Sequence, residues 1–142
     1  MVGNKLFIVD ASVALKWFLS NLEHDLDQAF QIRSDFFESE VDLLVPAHFF
    51  VEFLNIMFRK KMDGALSSFS ELQNFGIPFA ALSLEVAGVA GLLMKKYPKI
   101  SFYDAFYHAL AIHKEGTFVT ADESYYKLCK KEGHIILLKD YR

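Results

Sequence analysis

The chain contains a single cysteine, Cys129, so it cannot close an internal disulfide and must be held together by packing. Proline is also scarce, at three residues, and no stretch rich in proline, glycine and serine marks a linker between domains. Positive charge is not in excess. Fifteen Lys and Arg against eighteen Asp and Glu leave a net charge of −3, which excludes a global cationic field for nucleic acid and leaves any such contact to local patches. Long apolar runs are missing too: the longest, Val86 to Met94, is far below the roughly 20 residues of a membrane span, and Leu6 to Val9 is too short for a secretory signal. A cytoplasmic chain is expected. The five histidines, His24, His48, His108, His113 and His134, show no i, i+4 pair of the kind that binds zinc on a helix, so they are read as structural. Cys129 has no evident histidine partner and reads as a small buried residue. A glycine-rich phosphate loop is absent, so nucleotide cofactors are not indicated.

What the chain has in quantity is apolar surface. Hydrophobic residues make up 53% of its 142 positions and aromatics 15%, fifteen of them Phe. A chain of this length forms one domain, here residues 1–142, and buries roughly 70% of its extended surface on folding. The apolar share exceeds what a monomer usually needs, so part of it is expected to face a partner.

Leu6 to Val9 is a continuous apolar strand ended by Asp10, and Ser12 to Leu19 follows with helical periodicity. A helix over Asp25 to Ser39 precedes a strand at Leu43 to Val45, closed by Pro46. Helices are expected over Ala47 to Met62, ended by Gly64, and over Leu66 to Phe75, before a strand around Phe79 to Leu82. Leu84 to Tyr97 and Phe102 to Glu115 form helices split by Pro98. A strand at Thr117 to Thr120, a helix at Glu123 to Lys131 and a strand at His134 to Leu138 complete the pattern, with Gly116 and Gly133 at helix ends. Strands that are apolar throughout and alternate with helices imply a parallel sheet covered on both faces, an α/β fold.

In such sheets function collects beyond the carboxyl ends of the strands, and Asp10 and Asp122 each end one. Either alone could be a helix cap. Glu52 lies in a helix apolar on nearly every side, which predicts burial, and Glu52, Asn55 and Arg59 form one polar stripe that faces solvent or a polar site. Asp104, in "SFYDAFYHALA", stands in a first helical turn, where it could complement the dipole. The four acids converge if the strands carrying Asp10 and Asp122 are neighbours. Two carboxylates about 4 Å apart repel by roughly 4 kcal/mol at an effective dielectric near 20. Four together need protons or cations. All-oxygen ligands suit Mg²⁺ or Mn²⁺, one or two ions that activate water for attack on phosphorus, so phosphodiester hydrolysis is the implied chemistry.

"IVDASV" around Asp10, "VPAHFFVEFLNIM" around Glu52, "SFYDAFYHALA" around Asp104 and "FVTADES" around Asp122 occur in the order of a PIN domain, and the sequence resembles the VapC-type toxin ribonucleases of prokaryotic toxin–antitoxin pairs. The resemblance implies a five-stranded parallel sheet in order 3-2-1-4-5 and a metal-dependent endoribonuclease. It implies Asp10, Glu52, Asp104 and Asp122 as metal-binding acids, with Ser12, Asn55 and Thr120 orienting carboxylates or water. A homodimer and a cognate antitoxin are its expected partners, and Trp17, Phe49, Phe50, Phe53 and Met57 are candidates for the contact surface, although Phe-rich helices are more often simply core.

RNA would need a cationic rim near the acids: Lys16 and Arg59 are the first candidates, with Arg33, Lys60, Lys61, Lys95, Lys96 and Lys99 further ones. A receiver domain would need an acidic residue after the third strand, where Leu82, Ser83 and Leu84 stand. A haloacid-dehalogenase-type phosphatase would need an acid two residues after Asp10, where Ser12 stands. A PIN-fold scaffold or RNA-binding module without catalysis, and an RNA-processing nuclease without an antitoxin, both remain open.

Overall fold

A computed structural model describes residues 3–19 and 24–142. The first strand, β1 (Lys5–Val9), runs into a short helix, α1 (Ala11–Leu15). There follow α2 (Leu26–Phe37), β2 (Val41–Pro46), α3 (Phe49–Lys60), α4 (Ala65–Asn74), β3 (Phe79–Ala80) and α5 (Leu84–Lys96). The chain ends with α6 (Phe102–His113), β4 (Thr117–Thr120), α7 (Glu123–Cys129) and β5 (Ile135–Leu137). The five strands form one sheet in the order β3-β2-β1-β4-β5, with every pairing parallel and helices on both sides. That is the expected α/β architecture and strand order. β1 sits at the centre, its Phe7, Ile8 and Val9 in register with Thr117, Phe118 and Val119 of β4.

The elements depart from their expected limits for local reasons. The helix expected to reach Leu19 is α-helical only to Leu15, because Lys16, Trp17 and Phe18 donate to carbonyls three residues back and tighten the chain. The strand expected to reach Leu82 stops at Ala80: it is an edge strand, and β2, its one partner, ends at Pro46. Gly64 does not end a helix. The break falls on Lys61, and a turn of 3-10 helix at Met62–Gly64 leads directly into α4.

The core corrects one further expectation and decides another between contact surface and core. α3 is not buried all round, since Phe49, Phe53 and Met57 are enclosed while Val51 is 68% exposed. The same three residues and Trp17, read as candidates for a partner surface, are interior. The Trp17 indole donates to the Ala29 carbonyl at 2.8 Å, so its ring is fixed by both packing and a hydrogen bond. Phe50 is half-buried against Phe49 and Phe69.

α6 lies deepest, with every residue from Ala105 to Ala111 buried. Its His108 is fully enclosed between the Tyr125 hydroxyl at Nδ1 (2.9 Å) and the Gly133 carbonyl at Nε2 (2.8 Å). A carbonyl only accepts, so Nε2 carries the proton, Tyr125 donates to Nδ1, and burial holds the ring neutral.

Between α6 and β4 the left-handed position belongs to Glu115 (φ 56°), not to the glycine expected to stop the helix. Gly116 is required for space, because a Cβ there would stand 2.8 Å from the Leu6 carbonyl oxygen on β1. Gly116→Ala must therefore push β4 from β1, and we expect it to cost about 1–3 kcal/mol, as overpacking does. Gly88 lies on the open side of α5 with nothing near its missing Cβ, so Gly88→Ala should stabilise by up to about 1 kcal/mol. Urea unfolding of both variants checks the opposite signs.

Candidate metal centre

Four acidic side chains are delivered to the carboxyl end of the sheet by four different segments. Asp10 follows β1 and Asp122 follows β4, and because these strands are neighbours the two carboxylates belong to one end of one β-pair. Each also caps the helix it precedes: Asp10 Oδ1 accepts the Val13 amide at 3.3 Å, and Asp122 Oδ1 the Tyr125 amide at 3.0 Å. The capping function is thus real, and it orients both side chains at helix N-termini, where negative charge is favoured. Asp104 is not a cap. Ser101 fills that position, its hydroxyl accepting the Asp104 amide at 3.1 Å, which leaves the Asp104 carboxylate available in the first turn of α6.

Asp10 is the most constrained of the four. Ser12 donates its hydroxyl to Oδ1, and Thr120, itself fully buried, donates to Oδ2 at 2.6 Å. The Thr120 oxygen also accepts the Asp122 amide at 3.0 Å, so one hydroxyl ties both strand-ending acids together. Ser12 and Thr120 therefore stand where side chains that orient a carboxylate were expected. Asn55 is placed differently: it is exposed on α3 and accepts from Arg59 Nε at 3.4 Å, within the expected polar stripe. Lys16 donates to the His24 carbonyl at 2.6 Å.

Burial lifts the Asp10 carboxyl to about 6, against the hydrogen bonds that lower it, and the Asp104 charge pushes it up further. Glu52 and Asp104 are also raised, first by burial; Asp104 contributes to the rise at Glu52, and Asp122 to that at Asp104. Asp104 is thus the electrostatic neighbour of the other three.

Two residues outside the expected site, Tyr107 and His48, the latter read from sequence as structural, complete the surroundings. Tyr107 donates its hydroxyl to Glu52 Oε1 at 2.6 Å, and desolvation together with the Glu52 charge drives its own ionisation far upward, so it remains a donor. His48 lies beside the same Glu52 oxygen at 3.6 Å. The spacing of Asp104 and Tyr107, three apart on one helix, placed both on one face, but nothing local linked that face to Glu52.

Among the described residues, no three His, Cys, Asp or Glu side chains close on a common point as a ready coordination sphere. The donor set nonetheless fits a hard divalent cation. It is all oxygen, the Asp104 charge raises the proton affinity of Asp10 and Glu52 and the Asp122 charge that of Asp104, and Mg²⁺ keeps most of its waters while touching one or two carboxylates. A groove of about 1140 Å³ at the other end of the strands, lined by residues such as Lys5, Asp35, Glu38 and Tyr141, holds none of the four acids.

A family model described as PIN domain matches residues 7–131. Solved structures share the fold at low identity. VapBC2 from Rickettsia felis, bound to a DNA fragment from its promoter, aligns with a TM-score of 0.70 and 12% identity over 93% of this chain and 96% of that one. A toxin–antitoxin complex from Klebsiella pneumoniae gives 0.68 and 16%, over 95% and 98%. VapC20 from Mycobacterium tuberculosis, a Sarcin-Ricin loop cleaving toxin, gives 0.66 and 13%, over 85% and 93%. No curated protein matches the sequence.

The desolvated Asp10 carboxylate carries a cost with a definite pH dependence. Its folded value of about 6 lies above the ordinary 3.8, so the folded state holds the extra proton between them and stability falls as pH rises through that window. Asp10→Asn lacks the term. In EDTA, we expect it to gain on wild type by roughly 2 kcal/mol on going from pH 4 to pH 7.5, less than the full shift because the unfolded carboxyl is already partly ionised at pH 4. Thermal unfolding of both proteins at the two pH values measures this double difference.

Proposed function

The chain belongs to the PIN-domain family, and from that premise we propose that it is a divalent-metal-dependent endoribonuclease, the toxin of a toxin–antitoxin pair. The observation that carries the reading is the convergence of acids from four segments of the fold, with the Asp104 charge raising the proton affinity of Asp10 and Glu52, and the Asp122 charge that of Asp104. Acids coupled in this way are unfavourable without a cation, and as ligands to one they form a site for a phosphodiester. Mg²⁺ or Mn²⁺ bound there would supply positive charge for the scissile phosphate and acidify a water.

The protein's own groups have distinct tasks in this scheme. Ser12 and Thr120 hold the two Asp10 oxygens in fixed directions, and Tyr107 does the same for one oxygen of Glu52. Asp122, tied through its amide to Thr120, shares the frame of Asp10. Arg59, exposed at the end of α3, is suited to a phosphate of the RNA; Lys16 can join it by exchanging the His24 carbonyl for a phosphate oxygen. One of the solved structures named above is described as a toxin–antitoxin complex and another as a toxin that cleaves the sarcin–ricin loop, which supports RNA as substrate and a protein as inhibitor.

With Trp17, Phe49, Phe53 and Met57 interior, partner contact passes to exposed apolar residues. Val51, Met62 and Leu66 on and after α3 are 68%, 64% and 65% exposed and suit an antitoxin; Leu84 and Leu92 on α5, at 85% and 69%, suit a second copy. No described helix is long and apolar enough to cross a membrane, and cytoplasmic RNA is the proposed target. That no closed coordination sphere is formed among the described residues favours one other reading, a PIN-fold module that binds RNA without cutting it.

Cleavage of a mixed structured and single-stranded RNA pool distinguishes the two. We expect Mn²⁺- or Mg²⁺-dependent cutting that EDTA abolishes and that Asp10→Asn or Asp104→Asn reduces by about 100-fold or more, as expected for loss of several kcal/mol of charge stabilisation. Equal cutting by the folded variants would reject the site; RNA binding with neither metal binding nor cleavage would select the non-catalytic reading.

A further inference from the structure

One polar side chain beside the acids has no task in the scheme above. His48 occupies the position before the first turn of α3, where a short polar residue normally caps the helix, yet its ring makes no capping bond. It reaches across to α6 instead, with Nε2 3.1 Å from the Tyr103 carbonyl oxygen. We infer that His48 is a positioning residue that locks Glu52 on α3 to Asp104 on α6, by donating its Nε2–H to the peptide carbonyl that immediately precedes Asp104. The inference rests on the metal-site reading of those two acids.

The tautomer follows from the partner. A carbonyl oxygen only accepts, so the proton is on Nε2. Nδ1 is sealed from solvent and has no partner among the described residues, and a second proton there would be a buried donor with none of them to receive it. Packing alone would be served by phenylalanine, which has no nitrogen to leave unpaired. The histidine is therefore explained by its Nε2 edge.

That edge is held in place. The ring stacks on Phe106 (centroids 5.1 Å, interplanar angle 29°) and meets Tyr107 edge-on (4.8 Å, 63°) and Tyr103 at a tilt (5.8 Å, 57°), three residues that surround Asp104 in sequence. Nε2 also lies 3.6 Å from Glu52 Oε1, the oxygen that accepts the Tyr107 hydroxyl. The first turns of the two acid-bearing helices, which would fray independently, are thus joined at the level of the carboxylates. Outer partners of this kind are worth about tenfold to a hundredfold in metal affinity.

Three proteins test the assignment: wild type, His48→Phe, which keeps a ring and loses the donor, and His48→Gln, whose amide nitrogen can stand in for Nε2. Mn²⁺ affinity is read by titration calorimetry, folding by thermal unfolding, and the tautomer of metal-free wild type by long-range ¹H–¹⁵N correlation. We expect the Nε2–H tautomer, a folded His48→Phe that binds Mn²⁺ about tenfold to a hundredfold more weakly, and recovery in His48→Gln. An Nδ1–H tautomer, undiminished affinity in folded His48→Phe, or His48→Gln as weak as His48→Phe overturns the assignment. Should His48→Phe fail to fold, His48→Gln decides alone: near-wild-type affinity sustains the assignment and weak binding defeats it. Failure of wild type to bind Mn²⁺ would instead reject the metal reading, and the tautomer spectrum would still decide whether His48 makes the bond.

Discussion

The candidate site depends on the parallel pairing of β1 with β4. These strands are far apart in the chain, and the bond from Thr120 to Asp10 spans 110 residues. Their adjacency at the middle of the sheet puts two strand-ending aspartates side by side and lets a single hydroxyl serve both. It also explains why Gly116 tolerates no side chain, since β4 approaches the Leu6 carbonyl where the pairing begins. Glu52 and Asp104 are then added from helices that flank the same end.

Each carboxylate is held by a compromise between solvation and orientation. Asp10 is the clearest case: three donors orient it, which favours its charge, yet burial outweighs them and raises its proton affinity. Glu52 follows the same pattern with one hydroxyl. Asp122 is exposed, at a helix N-terminus. The site is thus graded, from a rigid, desolvated acid at the sheet centre to a solvated one at the rim. A cation held there would face one anchored ligand and others with more freedom to adjust.

Much of this was legible along the chain. The apolar runs ended by Asp10 and Asp122, and the alternation of strands with helices, sufficed for a parallel sheet with acids at its mouth. Strand order did not follow from those runs; it came with the ordered motifs around the four acids. The character of α3 was misread because a dense apolar sequence does not separate residues enclosed in a core, such as Phe53, from one left at the surface, such as Val51. Tyr107 and His48 were invisible for a different reason. Their partners, Glu52 and the Tyr103 carbonyl, lie 55 residues away, and no spacing within one helix reports a bond between two. The capping by Ser101, by contrast, is local, and the serine three residues before Asp104 already carried that signal.

The order in which the sheet is assembled has a consequence during synthesis. Chains emerge from the ribosome amino end first, at about 5–20 residues per second, and contacts distant in sequence form last. β1 and β2 can pair early, and α3 and α6 can both emerge while the place beside β1 is still empty. Until residue 120 arrives, Asp10 has only its local donors, Ser12 and Val13, and lacks both the Thr120 hydroxyl on its second oxygen and the strand that desolvates it. The nascent polypeptide therefore carries its acids unassembled past the translation machinery, and the cluster forms only when the final portion of the chain, from β4 onward, is released to fold.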